Sequence, residues 1–178
     1  MDHLVDFGRT FLGLAFIFSV VEKVRGPTAF RAFRDAVVSL APPLRGVATP
    51  TAVLIVVAET TSVLTLALPA TAPVGFTLSI ALMVAFTIAL ILALRRRAAV
   101  SCGCFGDSGS AIAPRHVGRN AVLLLAAVAG LFRWAAGDTA GVGRPSAGLV
   151  LAAGLAAILA LATATLDDIA ALFANGRS

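Results

Sequence analysis

Long apolar runs separated by short polar stretches recur along the whole chain. Five of these runs approach the roughly 20 residues that a helix needs to cross the hydrocarbon core of a membrane. They lie at Leu4–Val21, Thr51–Leu68, Gly75–Leu94, Val117–Ala136 and Ala147–Leu166. The pattern predicts an all-α integral membrane protein, organised as a single membrane domain over residues 1–178.

A shorter segment between the first two runs is amphipathic. Phe30, Phe33 and Val37 recur there at three- and four-residue steps, and the charged residues lie largely on the other side of the helical wheel. Pro42 and Pro43 cannot continue a helix. The pattern predicts a short helix that either lies in the membrane interface or caps the bundle.

Composition and charge support a membrane protein. Hydrophobic residues make up 59% of the chain and charged residues 13%, against about a quarter charged in soluble domains. In a membrane protein an excess of basic residues, here a net charge of +5, usually reflects the orientation of the helices and not a nucleic-acid partner. We therefore expect membrane lipid as a partner and no nucleic acid. With five spans, 11 of the 14 lysines and arginines face one side. The positive-inside rule makes that side the cytoplasmic face of the inner (plasma) membrane and places the loop after the third run there.

That loop holds the two cysteines of the chain, Cys102 and Cys104, in the stretch "SCGCFGD". A disulfide across one glycine closes a small, strained ring, which is easily reduced and adds little stability as a staple. The spacing therefore favours a redox pair. Two alternatives stay open: the two thiolates together with His116 could hold a soft metal ion, or the pair could be structural.

Several residues around the pair are candidates for activating a thiolate or supporting the loop. Positive charge near a thiol favours its reactive thiolate form. The candidates are Arg97, Arg115, His116, Arg119 and Asn120.

Charged residues also interrupt the apolar runs. A carboxyl group in hydrocarbon costs about 2.5 to 3.5 kcal/mol on insertion scales, so Glu59 is expected to face the bundle interior, either protonated or paired. It could relay a proton or line a pocket for a quinone-like ligand, or it could only hydrogen-bond one helix to another. Glu22 and Lys23, at the end of the first run, are expected to be ordinary interfacial residues.

Taken in order, these residues resemble the MauE family of integral membrane proteins, which is related to DoxX-type membrane proteins. The resemblance extends from about Arg9 to Val128 and is carried by "RTFLGLAFIFSVVEK", Glu59, "CGCFG" and the pair Arg119 and Asn120. It implies a compact four-helix bundle over residues 4–134, with residues 147–166 as an added fifth transmembrane helix. It also implies a role, beside a thioredoxin-like partner, in maturing a disulfide-rich dehydrogenase subunit outside the cytoplasm. That role would place the cysteines outside, whereas the charge count places them on the cytoplasmic side.

The leading hypothesis is a membrane thiol-disulfide oxidoreductase. Cys102 and Cys104 would exchange electrons with a thioredoxin-like protein or a quinone, with no covalently bound cofactor. The first alternative is a non-enzymatic membrane partner that docks a maturation complex. A further alternative is the handling of a soft metal ion.

Overall fold

The computed structural model describes residues 4–96, 114–137 and 158 of the chain. These residues form helices joined by short turns, and no β-strand occurs among them. The α-helices are α1 (Leu4–Val24), α2 (Pro27–Leu40), α3 (Ala48–Ala67), α4 (Ala72–Arg95) and α5 (Pro114–Ala135). Two short 3₁₀ turns lie at Pro42–Val47 and Pro69–Thr71. The prediction of an all-α fold is confirmed.

Prolines set the helix boundaries. Pro27 opens α2, where a missing N–H costs nothing because no intrahelical partner exists there. Leu68 precedes Pro69 and is extended, which ends α3 at Ala67 because a residue before proline is disfavoured in the helical region. The loops between α1 and α4 are therefore short, and consecutive helices stay close together.

Four long helices, α1, α3, α4 and α5, form a bundle. α1 packs against α3 and α5, α4 packs against the same two helices, and α1 and α4 lie diagonally across. Among the described residues, three helical segments are long and apolar enough to cross a membrane: Pro42–Ala67, Pro69–Arg95 and Val117–Ala135. α1 has a comparable length of 21 residues but carries more charge. Apart from Ile158, the predicted fifth span lies outside the described residues.

The outer faces of the bundle are apolar. Leu54 and Leu64 of α3 and Leu125 and Phe132 of α5 are all more than 60% exposed. A soluble protein rarely leaves so much large apolar surface in water. These faces suit contact with lipid, and the chain is a membrane protein.

One end of the bundle, which we call the closed end, is built around Phe76. Phe76 of α4 is fully buried and lies against Gly8 of α1 and Gly130 of α5. A Cβ added to Gly75 would come within 2.9 Å of the backbone nitrogen of Leu66, so α3 and α4 approach closely here. Glycine at these positions is what permits the tight packing.

Arg9 connects α1 to the end of α3 at the closed end. Its Nε donates to the carbonyl of Leu66 at 2.7 Å and its Nη2 to that of Ala67 at 2.7 Å. Its Nη1 donates to Asp6 Oδ1 at 3.1 Å. The last carbonyls of a helix have no intrahelical donor, so Arg9 satisfies groups that would otherwise be unpaired.

The opposite end, the α2 end, is covered by α2. Phe33, Val37 and Leu40 are buried against Ala52 of α3 and Leu90 of α4. Of the two possibilities left open by the sequence, this packing matches a cap, because the apolar face of α2 is directed at the bundle. Arg96 Nη2, at the end of α4, donates to the Leu40 carbonyl at 2.6 Å and ties α2 in place.

Candidate functional site

A buried ion pair joins α1 to α3 near the α2 end. Lys23 Nζ lies 2.6 Å from Glu59 Oε1 and 2.8 Å from Glu59 Oε2. The two side chains are only 2% and 8% exposed. Ser19 Oγ accepts a hydrogen bond from Lys23 Nζ at 2.6 Å and donates to Glu59 Oε1 at 3.3 Å. The result is a closed polar triad inside an apolar bundle.

Three helices position this triad. Ser19 and Lys23 are four residues apart on α1 and therefore share one face. Glu59 faces them from α3, and the ring of Phe33 on α2 lies 4.8 Å from Lys23 Nζ. That distance is within the range of a cation–π interaction. α2 therefore closes over the charged pair as well as over the apolar core.

The prediction that Lys23 is an ordinary interfacial residue is wrong. Consecutive residues of a helix point about 100° apart, so Glu22 and Lys23 have different fates. Glu22 is half-buried and makes a long ion pair of 3.5 Å with the exposed Arg25. Lys23 instead continues the buried stripe of α1. The signal was present in the sequence, because Leu12, Phe16, Ser19 and Lys23 follow one another at three- and four-residue steps.

A cavity of about 290 Å³ lies beside the triad. All five helices contribute to its wall, which is mostly apolar and includes the aromatic rings of Phe16, Phe33 and Phe86. Its polar lining residues, among those described, are Ser19, Lys23, Thr51, Glu59 and Asn120. An apolar pocket with a few polar groups is the usual form of a small-molecule site.

Asn120 provides the polar group on the α5 side of the cavity. The residue is fully buried. Its Nδ2 donates to Thr87 Oγ1 of α4 at 3.3 Å. Its Oδ1 is buried and has no hydrogen-bond partner among the described residues. Buried polar atoms are nearly always hydrogen-bonded in proteins, so this oxygen indicates a place for a missing donor.

The structure brings together some of the residues singled out in the sequence. Glu59 and Asn120 line the same cavity although they are 61 positions apart in the sequence. Arg119, next to Asn120 on α5, is also buried, with 5% of its surface exposed. Sequence reasoning gave no part in this site to Ser19, Lys23 or Phe33: Ser19 and Lys23 belong to the polar part of the cavity wall, and the Phe33 ring lies against Lys23.

The other candidates lie outside the described residues. These are Arg97, Cys102, Cys104 and the side chains of Arg115 and His116. The soft-metal alternative involves Cys102, Cys104 and His116, so it lies outside as well. The chain leaves the described region after Arg96 and returns at Pro114. Arg96 contacts α2, and Val117 packs on the α2 end, so both boundaries lie at that end of the bundle.

The comparisons with known proteins identify a family. No curated protein and no solved structure matches the chain. A family model described as "Methylamine utilisation protein MauE" matches residues 1–133. The match covers α1 to α4, nearly all of α5, every residue lining the cavity and both cysteines. Because it extends over about three quarters of the 178 residues, this membrane protein belongs to the MauE family.

Proposed function

We propose that this protein is a membrane thiol-disulfide oxidoreductase in which Cys102 and Cys104 cycle between a dithiol and a disulfide. In one direction, a thiolate of this pair attacks a partner's disulfide and forms a mixed disulfide. The second thiolate then displaces the partner, which leaves with two thiols, while Cys102 and Cys104 are joined. Two electrons pass to the partner in this direction, and the reverse sequence oxidises a partner's dithiol.

The observation that carries the proposal is the location of the buried polar site. The segment holding the cysteines leaves α4 and returns to α5 at the α2 end, where the Lys23–Glu59 pair and the cavity lie. Cys102 follows Arg96 by six residues and Cys104 precedes Pro114 by ten. At no more than about 3.6 Å per residue, these connections limit how far the cysteines can lie from this end, and we propose that the pair acts there.

The ion pair supports a functional role because it is an expensive way to hold two helices together. Replacing a buried ion pair by apolar side chains is often neutral or stabilising, so stability alone does not require the pair. Ionisable groups within membrane helices mark functional sites by default. Thiol-disulfide exchange moves two protons with its two electrons, and Lys23 and Glu59 are acid–base groups suited to handling them.

After the pair has oxidised a partner's dithiol it must be reoxidised, and two electron acceptors suit the location. A thioredoxin-like protein could approach from the aqueous side, or a quinone could approach through the lipid. We propose that Arg97, Arg115, His116, Arg119 and Asn120 support the cysteine segment or favour its thiolate form. We also propose that this segment lies on the cytoplasmic side of the inner membrane, as the charge distribution indicates, and that the protein acts in methylamine utilisation, as the family description suggests.

The test uses the purified full chain in detergent. The substrate is a dithiol peptide whose fluorescence changes on oxidation, and the acceptor is 2,3-dimethyl-1,4-naphthoquinone, whose substituted ring carbons resist addition by thiols. We expect the wild-type chain to catalyse peptide oxidation, and Cys102→Ser and Cys104→Ser each to abolish it. One of the two single variants should accumulate a mixed disulfide with the peptide.

Ser101→Ala is the matched control, because it changes a neighbouring residue of the same segment without removing a sulfur. It should retain the wild-type rate. A double variant of Cys102 and Cys104 that keeps full biological activity would instead support the non-enzymatic docking role. Alkylation of equal numbers of thiols before and after mild reduction would count against a reversible disulfide.

A further inference from the structure

One atom of the Asn120 amide, in the wall of the cavity, lacks a hydrogen-bond partner among the described residues. The orientation of the amide determines whether that atom is a donor or an acceptor. Thr87 Oγ1 donates its single proton to the Met83 carbonyl at 2.7 Å. Towards Asn120 it can therefore only accept, so the Nδ2 group must face Thr87. This fixes the amide, and the atom left without a partner in the described part of the chain is the acceptor Oδ1.

The triad on the other side of the cavity leaves acceptors unused as well. Lys23 Nζ directs its three hydrogens at Ser19 Oγ and the two oxygens of Glu59. The Ser19 hydroxyl is directed at Glu59 Oε1. Each carboxylate oxygen can accept more than one hydrogen bond, so Glu59 Oε2 keeps spare capacity. Asn120 Oδ1 and Glu59 Oε2 therefore offer acceptors to a ligand, and the hydrogens of Lys23 Nζ and of the Ser19 hydroxyl are already engaged.

The rest of the cavity limits the ligand to a small, largely apolar group. The volume of about 290 Å³ is at the lower end of the range of small-molecule pockets, about 300 to 1,000 Å³. Three aromatic rings, Phe16, Phe33 and Phe86, line it and suit a flat ring. Ala85 is a lining residue that is also exposed, near the middle of the membrane-spanning α4. The cavity therefore reaches the outer surface at a depth where lipid is expected.

We infer that this cavity binds the ring of a lipid-soluble quinol, with Asn120 Oδ1 accepting a hydrogen bond from one of its hydroxyl groups. A quinol combines an apolar ring with hydroxyl donors, which is what the free acceptors require. The oxidised quinone has carbonyl acceptors only, so it leaves Asn120 Oδ1 unpaired and should bind more weakly. The site is thus selective for the reduced form.

The biological meaning of this site rests on the proposed function. When a quinone takes up two electrons and two protons from the Cys102–Cys104 dithiol, a disulfide forms and the quinone becomes a quinol. Tighter binding of the quinol than of the quinone favours this direction, because a site can shift an equilibrium only by its differential affinity for the two states. The protein would then be an oxidant of its thiol partner.

The experiment measures binding to the double variant Cys102→Ser and Cys104→Ser, so that no electron transfer occurs. Three ligands with the same ring skeleton are titrated calorimetrically under anaerobic conditions: 2,3-dimethyl-1,4-naphthalenediol, its dimethyl ether, and the corresponding quinone. We expect the diol to bind about tenfold more tightly than the ether or the quinone, because a buried unpaired acceptor costs about 1 to 3 kcal/mol. Equal affinities for the three would overturn the inference.

Variants locate the site. Asn120→Leu should weaken binding of the diol about tenfold and leave the ether nearly unchanged. Thr87→Val removes the acceptor that fixes the amide, so Asn120 can turn its Nδ2 group towards the cavity and the preference for the diol should fall. Ala89→Leu, which fills the cavity from α4, should abolish binding of all three ligands. Unchanged binding in both Asn120→Leu and Ala89→Leu would place the ligand elsewhere and refute the inference.

The inference and the proposed function can fail separately. Selective binding of the diol to a chain whose wild type has no oxidoreductase activity would keep the quinol site and refute the proposed function. Turnover of the dithiol peptide by a protein that binds the three ligands equally would do the opposite.

Discussion

The two ends of the bundle are built from the same four helices but differ in how they fill the space between them. At the closed end, glycines let the helices approach, and the ring of Phe76 fills the centre. At the α2 end, the helices leave a cavity of about 290 Å³ beside the buried Lys23–Glu59 pair. Well-packed interiors leave few voids larger than a water molecule, so the α2 end departs from the usual state of a protein core. The contrast assigns structural roles to the closed end and chemistry to the α2 end.

The use of charge differs in the same way. Arg9, at the closed end, and Arg96, at the α2 end, donate to carbonyls at the ends of neighbouring helices, which is a structural task. Lys23, in the last turn of α1, and Glu59 of α3 bind each other instead, and the hydrogen bonds described for these two side chains go to side chains. The Lys23–Glu59 pair therefore says more about function than the two arginines do, because it lies beside a cavity and does not serve to pair backbone carbonyls.

Lys23→Met should have the largest effect, because it leaves Glu59 buried without its cation. We expect a loss of about 3 to 5 kcal/mol in the free energy of unfolding, as for other buried ion pairs that lose one partner. The measurement is unfolding in mixed detergent micelles containing dodecyl sulfate, followed by circular dichroism.

Two controls distinguish the buried pair from charge in general. Glu22→Gln removes the neighbouring carboxylate, whose partner Arg25 is 60% exposed, and should cost no more than about 1 kcal/mol. The double variant Lys23→Met with Glu59→Leu should regain most of the lost stability, because an apolar pair needs no desolvation. If the double variant is as unstable as Lys23→Met, then the lost stability does not come from an unpaired charge.

Gly130→Ala tests the packing of the closed end. The added Cβ would collide with the ring of Phe76, which is fully buried. We expect a loss of about 1 to 3 kcal/mol in the free energy of unfolding, measured as above.

The control for Gly130→Ala is the same substitution at Gly13 of α1. A Cβ at Gly13 meets nothing within 4 Å in the described part of the chain. Alanine is the better helix former, so Gly13→Ala should gain about 0.5 to 1 kcal/mol. Equal effects at the two positions would mean that the closed end is not tightly packed.

The long helices were predictable from the sequence because each apolar run reports its own burial or lipid contact. The runs at Thr51–Leu68 and Gly75–Leu94 correspond to α3 and α4 within three residues at each end. The role of Lys23 was not predicted, since its partner Glu59 is 36 positions away and the adjacent Glu22 makes it resemble an interfacial residue. The cost of a charge in hydrocarbon was enough to predict that Glu59 faces the bundle interior. The identity of its partner depends on how α1 and α3 pack.

The cavity could not be predicted either, because it results from how small and large side chains from five helices fit together. Asn120 stood out in the sequence only as part of an Arg-Asn pair near the cysteine segment. Its unpaired Oδ1 becomes visible only when Thr87 of α4 is seen to occupy the other end of the amide. Such a feature depends on packing between helices, and no periodicity within one helix encodes it.

Ala89→Leu tests the contrast between the two ends with the smallest expected change. Ala89 lines the cavity, so a larger side chain has space to fill there, and cavity-filling substitutions commonly stabilise proteins. We expect a gain of about 0.5 to 1 kcal/mol in the free energy of unfolding. The same substitution at Ala127 of α5, which is fully buried in the core around Phe76, should instead cost about 1 to 3 kcal/mol through overpacking. If Ala89→Leu destabilises the protein as much as Ala127→Leu, the α2 end has no space for a ligand. A gain in stability together with lost oxidoreductase activity would show that the space is kept open for function at the expense of stability.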